Sequence, residues 1–279
     1  MVQKLRYLTQ KYAITSAIAI ALVFYVLMLG VSKIFGLMPA SVGKEYVHEI
    51  VSMLYPIGIV ILFGFSSAFG RQGFFKTLTC GMLLLALQTF SLLFSIFENA
   101  TSDATAWQPW YVIILGVVSV ISIGIREECI FRATIQGVLA KKYANSVKGI
   151  WLTALLSALI FGLIHSFNIF AGVDPIAALV QSVTNVGIGM FWAALYLRCR
   201  NLWALVLIHA ITDASGLFTS LFCKNVSDTD VMSNLPAASL ISGVAFFLLG
   251  FYLLRASKCK EIIEHYNREN EVQCEGSIA

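Results

Sequence analysis

Charge is scarce in this chain. Asp, Glu, Lys and Arg make up 12% of its 279 residues and hydrophobic residues 58%, roughly half the charged fraction usual in soluble domains. With a mean hydropathy of +0.82, that balance excludes a soluble globular protein, because a folded chain cannot hide so much apolar surface from water. A formal charge of +4 is too small to suggest a nucleic-acid partner. Cysteine supplies no framework. Cys80 and Cys129 fall in apolar runs, Cys199, Cys259 and Cys274 lie where basic residues gather, and only Cys223 lies on the opposite side. Neither a disulfide scaffold nor a CxxC metal knuckle follows from that placement. An internal repeat, a low-complexity segment and a soluble domain are missing as well.

What is present is a series of apolar runs near the roughly 20 residues that cross a bilayer. They fall at 13–35, 50–69, 78–97, 110–139, 150–170, 176–197, 202–221 and 236–254. The expectation is an all-α, polytopic integral membrane protein of about eight transmembrane helices. The first run is long for a signal-peptide core and has no clear small-residue cleavage site, so it reads as a retained span. Lys4, Arg6 and Lys11, then Arg71 and Lys76, Lys141, Lys142 and Lys148, Arg198 and Arg200, and Arg255, Lys258, Lys260 and Arg268 flank one side. The other side has Lys33, Lys44 and Lys224 against Glu45, Glu49, Glu98, Asp103, Asp174, Asp228 and Asp230. The Lys and Arg rule then puts both termini in the cytoplasm. The sequons at Asn99 and Asn225 lie on the outer side and matter only in a cell that glycosylates there. The tail from Lys258 to Ala279 is polar and reads as partly helical or disordered. Three divisions are expected: helices one to three (1–109), a core of helices four to seven (110–221), and helix eight with the tail (222–279).

Within this apolar chain, IGIREECIFRATI, Ile123 to Ile135, places two glutamates and two arginines in one helix. Ionisable groups at bilayer depth are costly and are usually kept for function. Glu127 and Glu128 are neighbours whose side chains point about 100° apart. Arg132 stands four residues beyond Glu128 on its face, so an i, i+4 pair satisfies both and leaves Glu127 as the candidate base. Arg126 either receives a peptide carboxylate or neutralises a glutamate. The fifth run holds Phe161 and His165 one turn apart, with Asn168 as a cap or hydrogen-bond residue. The seventh holds His209 and Asp213, also one turn apart. No other histidine or acid is expected in the membrane. At about 1.5 Å per residue, all four candidates fall roughly 13 to 25 Å above the basic loops and can meet. Gly124, Gly162, Gly187, Gly189 and Ser157 would allow close helix packing around a polar cavity.

Peptide hydrolysis needs a base for water, a donor to the leaving amine and a stabiliser of the oxyanion. Glu127, His165 and the His209–Asp213 pair offer one candidate for each. Cys129 reads as a small apolar filler, His265 as a solvated side chain, and Trp107, Trp110, Trp151 and Trp203 as interfacial anchors.

The ordered set EExxxR (Glu127, Glu128, Arg132), FxxxH (Phe161, His165) and HxxxD (His209, Asp213) resembles the CPBP family of intramembrane proteases. That family joins type II CAAX prenyl endopeptidases to bacteriocin-processing and self-immunity proteins. The likeness spans about Trp110 to Gly216. It implies that Glu127 and His165 activate the attacking water, that His209 and Asp213 stabilise the oxyanion, and that Glu128, Arg132 and Phe161 support them. Many relatives carry Asn where Asp213 stands, and an ionised Asp would repel an oxyanion. The resemblance also implies a conical or polar intramembrane cavity, a bacterial cell membrane, and a membrane-associated peptide or protein substrate, prenylated or a leader peptide. No cofactor is implied. Two readings stay open beside it: a zinc protease with metal at Glu127, His165 and His209 or Asp213, and a non-enzymatic transport or immunity protein. The chain's own C-terminus, CEGSIA, is not a CAAX box.

Overall fold

The structure is a computed structural model that describes residues 2–37, 43–103 and 105–275, with side chains to Tyr266. Among the described residues it is 85% helical with no strand. In lipid each backbone N–H and C=O must be satisfied inside its own segment, so apolar runs of this length become helices. An amphipathic α1 (Val2–Lys11) leads into α2 (Ala13–Gly36). Then come α3 (Lys44–Phe63), α4 (Met82–Ala100) and α5 (Trp110–Glu128). The last runs through a π-helix, Cys129–Gln136, into α6 (Gly137–Tyr143). Next are α7 (Val147–Ile164) with its 3-10 extension His165–Ala171, α8 (Pro175–Cys199) and α9 (Leu202–Gly216). The chain ends with α10 (Ser239–Leu253) and α11 (Ala256–Glu275).

Caps mark where the chain turns. Ser146 accepts from Gly149 N at the start of α7. Asp174 accepts from Ile176 N and Ala177 N ahead of α8, with Pro175 in the first turn, and Asn201 accepts from Ala204 N at α9. Each supplies an acceptor to amides that no earlier turn can satisfy.

Among the described residues, five helices are long and apolar enough to cross a membrane: Ala13–Gly36, Lys44–Phe63, Met82–Ala100, Val147–Ala171 and Pro175–Cys199. A sixth span exists if Ser239–Leu253 and Ala256–Tyr266, bent by 63°, form one broken crossing. The other two expected runs, 110–139 and 202–221, fall outside that count, and these carry Glu127, Glu128, His209 and Asp213. Helix α9 alone, with 15 residues, spans about 22 Å at 1.5 Å per residue. After Leu217 it resumes as Phe218–Phe222. The second span starts at Lys44 rather than Ile50, which brings His48 and Glu49 into it. The expectation of no further histidine or acid in the membrane region is therefore wrong. Its cause is an amphipathic first turn that a hydropathy reading assigns to a loop.

Burial sorts the helices into an inner and an outer set. The most apolar windows of α8 and of Val147–Ala171 are 56% and 44% buried, against 6% for α4. All eight residues of the π-helix are buried. Thus α7, α8 and the π-helix form the centre, while α4 offers its apolar surface outward. Helix α11 carries the polar tail as far as Glu275; the Cys274 side chain and residues 276–279 lie outside the described residues.

Candidate active site

Glu128 is the last α-helical residue before the π-helix begins. Thr134 Oγ1 donates to Cys129 O at 2.9 Å inside the wider winding, a distortion often found at functional sites. Arg132 sits within it. Its Nε lies 3.4 Å from Glu128 Oε2, the expected i, i+4 pair, and both side chains are essentially unexposed. Arg132 Nη1 donates to Ser157 Oγ at 3.0 Å, and its guanidinium lies 4.9 Å from the centre of the Phe161 ring. Ser157 donates to Gln136 Oε1, and Gln136 Nε2 donates to Ala193 O. One arginine therefore joins the π-helix to α7 and, through Gln136, to α8.

Glu128 does more than brace the helix. Its Oε1 lies 2.8 Å from His209 Nδ1 on α9. A carboxylate paired to Arg132 can only accept, so Nδ1–H donates to it and Nε2 points the other way. There Nε2 lies 3.7 Å from Glu127 Oε2 and 3.5 Å from Asp213 Oδ2. Glu127 thus points away from Arg132, as its place on the helix requires. Close approach of α5 and α9 depends on Gly124: a Cβ there would come within 3.1 Å of Val206 O and 3.6 Å of His209 Cβ.

His165 stands at the joint between α7 and the 3-10 turn. Its Nδ1 lies 2.8 Å from Phe161 O. A carbonyl only accepts, so Nδ1 carries the proton and Nε2 keeps a lone pair. Phe161 is the hub, with ring centroids 4.8 Å from His165, 5.0 Å from Phe131 and 6.5 Å from His209. Glu127, His165, His209 and Asp213 therefore meet from α5, α7 and α9, with Glu128, Arg132 and Phe161 around them. None of the four lines the cavity of about 780 Å³ at the basic end of the bundle. Among the described residues, no three His, Cys, Asp or Glu side chains are arranged to hold a metal ion.

Four neighbours, Glu49, Ser52, His48 and Trp192, are not placed at the site by the sequence reading. Arg126, left undecided there, is ion-paired with Glu49 of α3 and donates to Ser52 Oγ at 2.8 Å, with Glu127 at 3.9 Å. His48 Nδ1 lies 3.2 Å from Glu49, and His48 Nε2 is 3.1 Å from Ser32 Oγ. The recoverable signal is the period of KEYVHEIVS, which keeps Glu49 and Ser52 three apart on one helix face. Trp192 of α8 lies over the His209 ring, centroids 4.3 Å apart at 33°. A tryptophan inside an apolar run gives no signal of its own. Asn168 serves as a hydrogen-bond residue, donating to Gln181 at 2.8 Å.

Comparison with known proteins gives one match. Residues 108–215 fit the family model described as "Type II CAAX prenyl endopeptidase Rce1-like". No curated protein and no solved structure matches the chain. The matched range holds all seven motif residues, and helices before and after it lie outside the match. A membrane peptidase family whose model ends two residues past Asp213, on an apolar helical chain, supports an integral membrane peptide hydrolase. Residues 108–215 of this apolar helical chain thus match the Rce1-like type II CAAX prenyl endopeptidase family over the stretch that carries the three motifs.

Proposed function

We propose that the chain is a glutamate-type intramembrane endopeptidase that hydrolyses a peptide bond of a membrane-associated peptide or protein. The observation that carries this reading is the geometry of His209. One ring nitrogen is held by Glu128 at 2.8 Å, while the other faces Glu127 and Asp213 at 3.7 and 3.5 Å. In this scheme Glu127 and the free Nε2 of His165 hold the attacking water, and Glu127 takes its proton. The substrate carbonyl enters between them and His209, whose Nε2–H then turns from the carboxylates to the oxyanion. Asp213 keeps the imidazole oriented, a role compatible with a carboxylate because it acts on the ring rather than on the oxygen. Glu127 returns its proton to the leaving amine, so no proton is lost over the cycle.

Arg126, held by Glu49, sets the charge beside Glu127 without touching His209. The substrate is a prenylated tail or a leader peptide entering from the bilayer, and both termini lie on the cytoplasmic side with the Lys and Arg-rich loops. A proteoliposome assay with membrane-anchored peptides tests the reading on wild type, Glu127→Gln and His165→Ala, each with and without a chelator. Cleavage by wild type alone and indifferent to the chelator is expected. Cleavage shared by all three would make the polar cluster structural, and loss with the chelator would move the reading to the zinc-bound alternative.

A further inference from the structure

Trp192 belongs to none of the three motifs, yet its contact with His209 is nearer than that of Phe161. The two centroids lie 4.3 Å apart and the rings are inclined at only 33°, so the indole covers one face of the imidazole. Phe161 meets the same ring at 6.5 Å and 85°, a perpendicular contact at longer range. Trp192 is 3% exposed, and among the described residues its Nε1 finds no hydrogen-bond partner. A buried tryptophan usually gives its N–H to a partner, so a hydrogen bond of its own is not what keeps this side chain in place. Packing holds it. Gln136 Nε2 of the π-helix donates to Ala193 O at 2.9 Å. Helix α10 lies so near that a Cβ on Gly250 would come within 2.9 Å of Met190 O and Phe191 N. The α8 backbone on either side of Trp192 is thus tied to two other elements, and the indole is not free to draw back from His209.

One hydrogen bond does not orient an imidazole. Donation from Nδ1–H to Glu128 at 2.8 Å fixes a single atom and leaves the ring free to rock about that bond. Rocking would carry Nε2 away from Glu127 and Asp213, which stand at 3.7 and 3.5 Å. Both distances exceed the usual N–H···O range, so the two carboxylates bias the direction of Nε2 without fixing the plane of the ring. A face contact supplies that restraint, because tilting the imidazole off the indole gives up the stacking. We propose that Trp192 is a positioning residue for the hydrolysis: it fixes the plane of His209 while Glu128 fixes its Nδ1, and so keeps Nε2 aimed at the space beside Glu127 and Asp213. The role rests on the hydrolytic reading above and adds to it a residue outside the three motifs.

The test uses the full chain with isotope-labelled histidine in lipid nanodiscs, read by NMR. Of the four histidines, His209 is assigned as the signal lost in His209→Gln. Ring protons stacked on an indole face resonate upfield. The His209 signal should therefore lie upfield in wild type, stay partly so in Trp192→Phe, and move downfield in Trp192→Leu. Cleavage of a membrane-anchored peptide is measured beside it, below the lowest thermal midpoint and per folded protein. Trp192→Phe keeps a ring and gives up an N–H that has no partner, so kcat should stay within about threefold of wild type. Trp192→Leu should lower kcat about tenfold, the upper worth of such an aromatic contact, with little change in KM. Should Trp192→Leu not fold, Trp192→Met carries the same expectation. Equal losses in the Phe and Leu variants, wild-type kcat in the Leu variant, or a His209 signal that neither variant moves would overturn the proposal. Glu127→Gln in the same assay judges the hydrolytic reading separately: if it cleaves as wild type does, that reading falls whatever the NMR shows, and the held ring has no reaction to serve.

Discussion

The Glu128–Arg132 pair offers a test that needs no substrate. Both side chains are essentially unexposed and their charged atoms are 3.4 Å apart. At an effective dielectric of about 20, Coulomb attraction at that distance amounts to about 5 kcal/mol, an upper bound because desolvation opposes it. Removing one partner of such a pair typically costs about 3 to 5 kcal/mol, since the other charge is left buried alone. Glu128→Gln keeps the volume and an acceptor for His209 Nδ1 but strands the guanidinium, and about 3 kcal/mol should be lost. Arg132→Gln should lose about 1 kcal/mol more, because the donation to Ser157 and the contact with the Phe161 ring go too. In the double variant neither charge is stranded, so its loss should fall short of the sum of the singles by about 2 kcal/mol or more. Unfolding in bicelles, followed by steric trapping, reads all four corners of the cycle. Coupling below about 0.5 kcal/mol would refute the argument and leave Arg132 held by Ser157 and the rings alone.

Three further outcomes follow from the same geometry. Glu127→Gln should lower kcat by about 10² to 10⁴, the usual worth of a general base, with the thermal midpoint close to wild type; an equal fall in both would make Glu127 structural. Glu49→Gln should release Arg126 toward Glu127, now 3.9 Å away, lowering kcat about tenfold with little change in KM. Adding Arg126→Gln should restore part of that loss, and failure to restore any would remove Glu49 from the role of positioning residue. Gly124→Ala places a methyl 3.1 Å from Val206 O, which should cost about 1 to 3 kcal/mol and lower cleavage by moving His209 from Glu128; unchanged midpoint and activity would mean that α9 has room to spare.

How much of this was legible beforehand depends on the kind of residue. Charged groups inside an apolar run stand out because lipid penalises them, so Glu127, Glu128, Arg132, His165, His209 and Asp213 can be singled out as candidates from composition and spacing, while the roles expected of them come from the family resemblance. Their side-chain directions followed from helical period, and the Glu128–Arg132 pair is in place. Glu49 and His48 were missed because the run beginning at Ile50 is what hydropathy detects, while the polar turn of α3 before it looks like a loop. Trp192 was missed for the opposite reason, being one more apolar residue in a run. The π-helix left no mark either: its winding depends on contacts from α7 and α8 that lie far away in sequence. Eight spans were expected; among the described residues five helices meet the criterion of length and apolarity, six if the bent pair Ser239–Leu253 and Ala256–Tyr266 is one crossing, and the two remaining runs carry charge or are short.

That last difference has a physical logic. A helix holding Arg126, Glu127, Glu128 and Arg132 cannot face lipid on the side those groups occupy, so other helices must cover it. The cover is unequal around the bundle. Val60 of α3 and Phe24 of α2 are buried, while Phe90, Leu93 and Phe97 of α4 are exposed. Helix α4 is thus the lipid-facing wall, and α7 and α8, the most buried of the apolar helices, stand between lipid and the ion pairs. Only Glu127 and Asp213 of the α5 and α9 acids keep appreciable exposure, 15% and 22%, against 1% for Glu128. Within one cluster, the acid with full charge compensation is sealed and the two without it remain open. A purely structural ion-pair network has no need of that division, because its stability improves when every member is sealed and paired. Under the proposed function, the open pair is where a water and a carbonyl arrive.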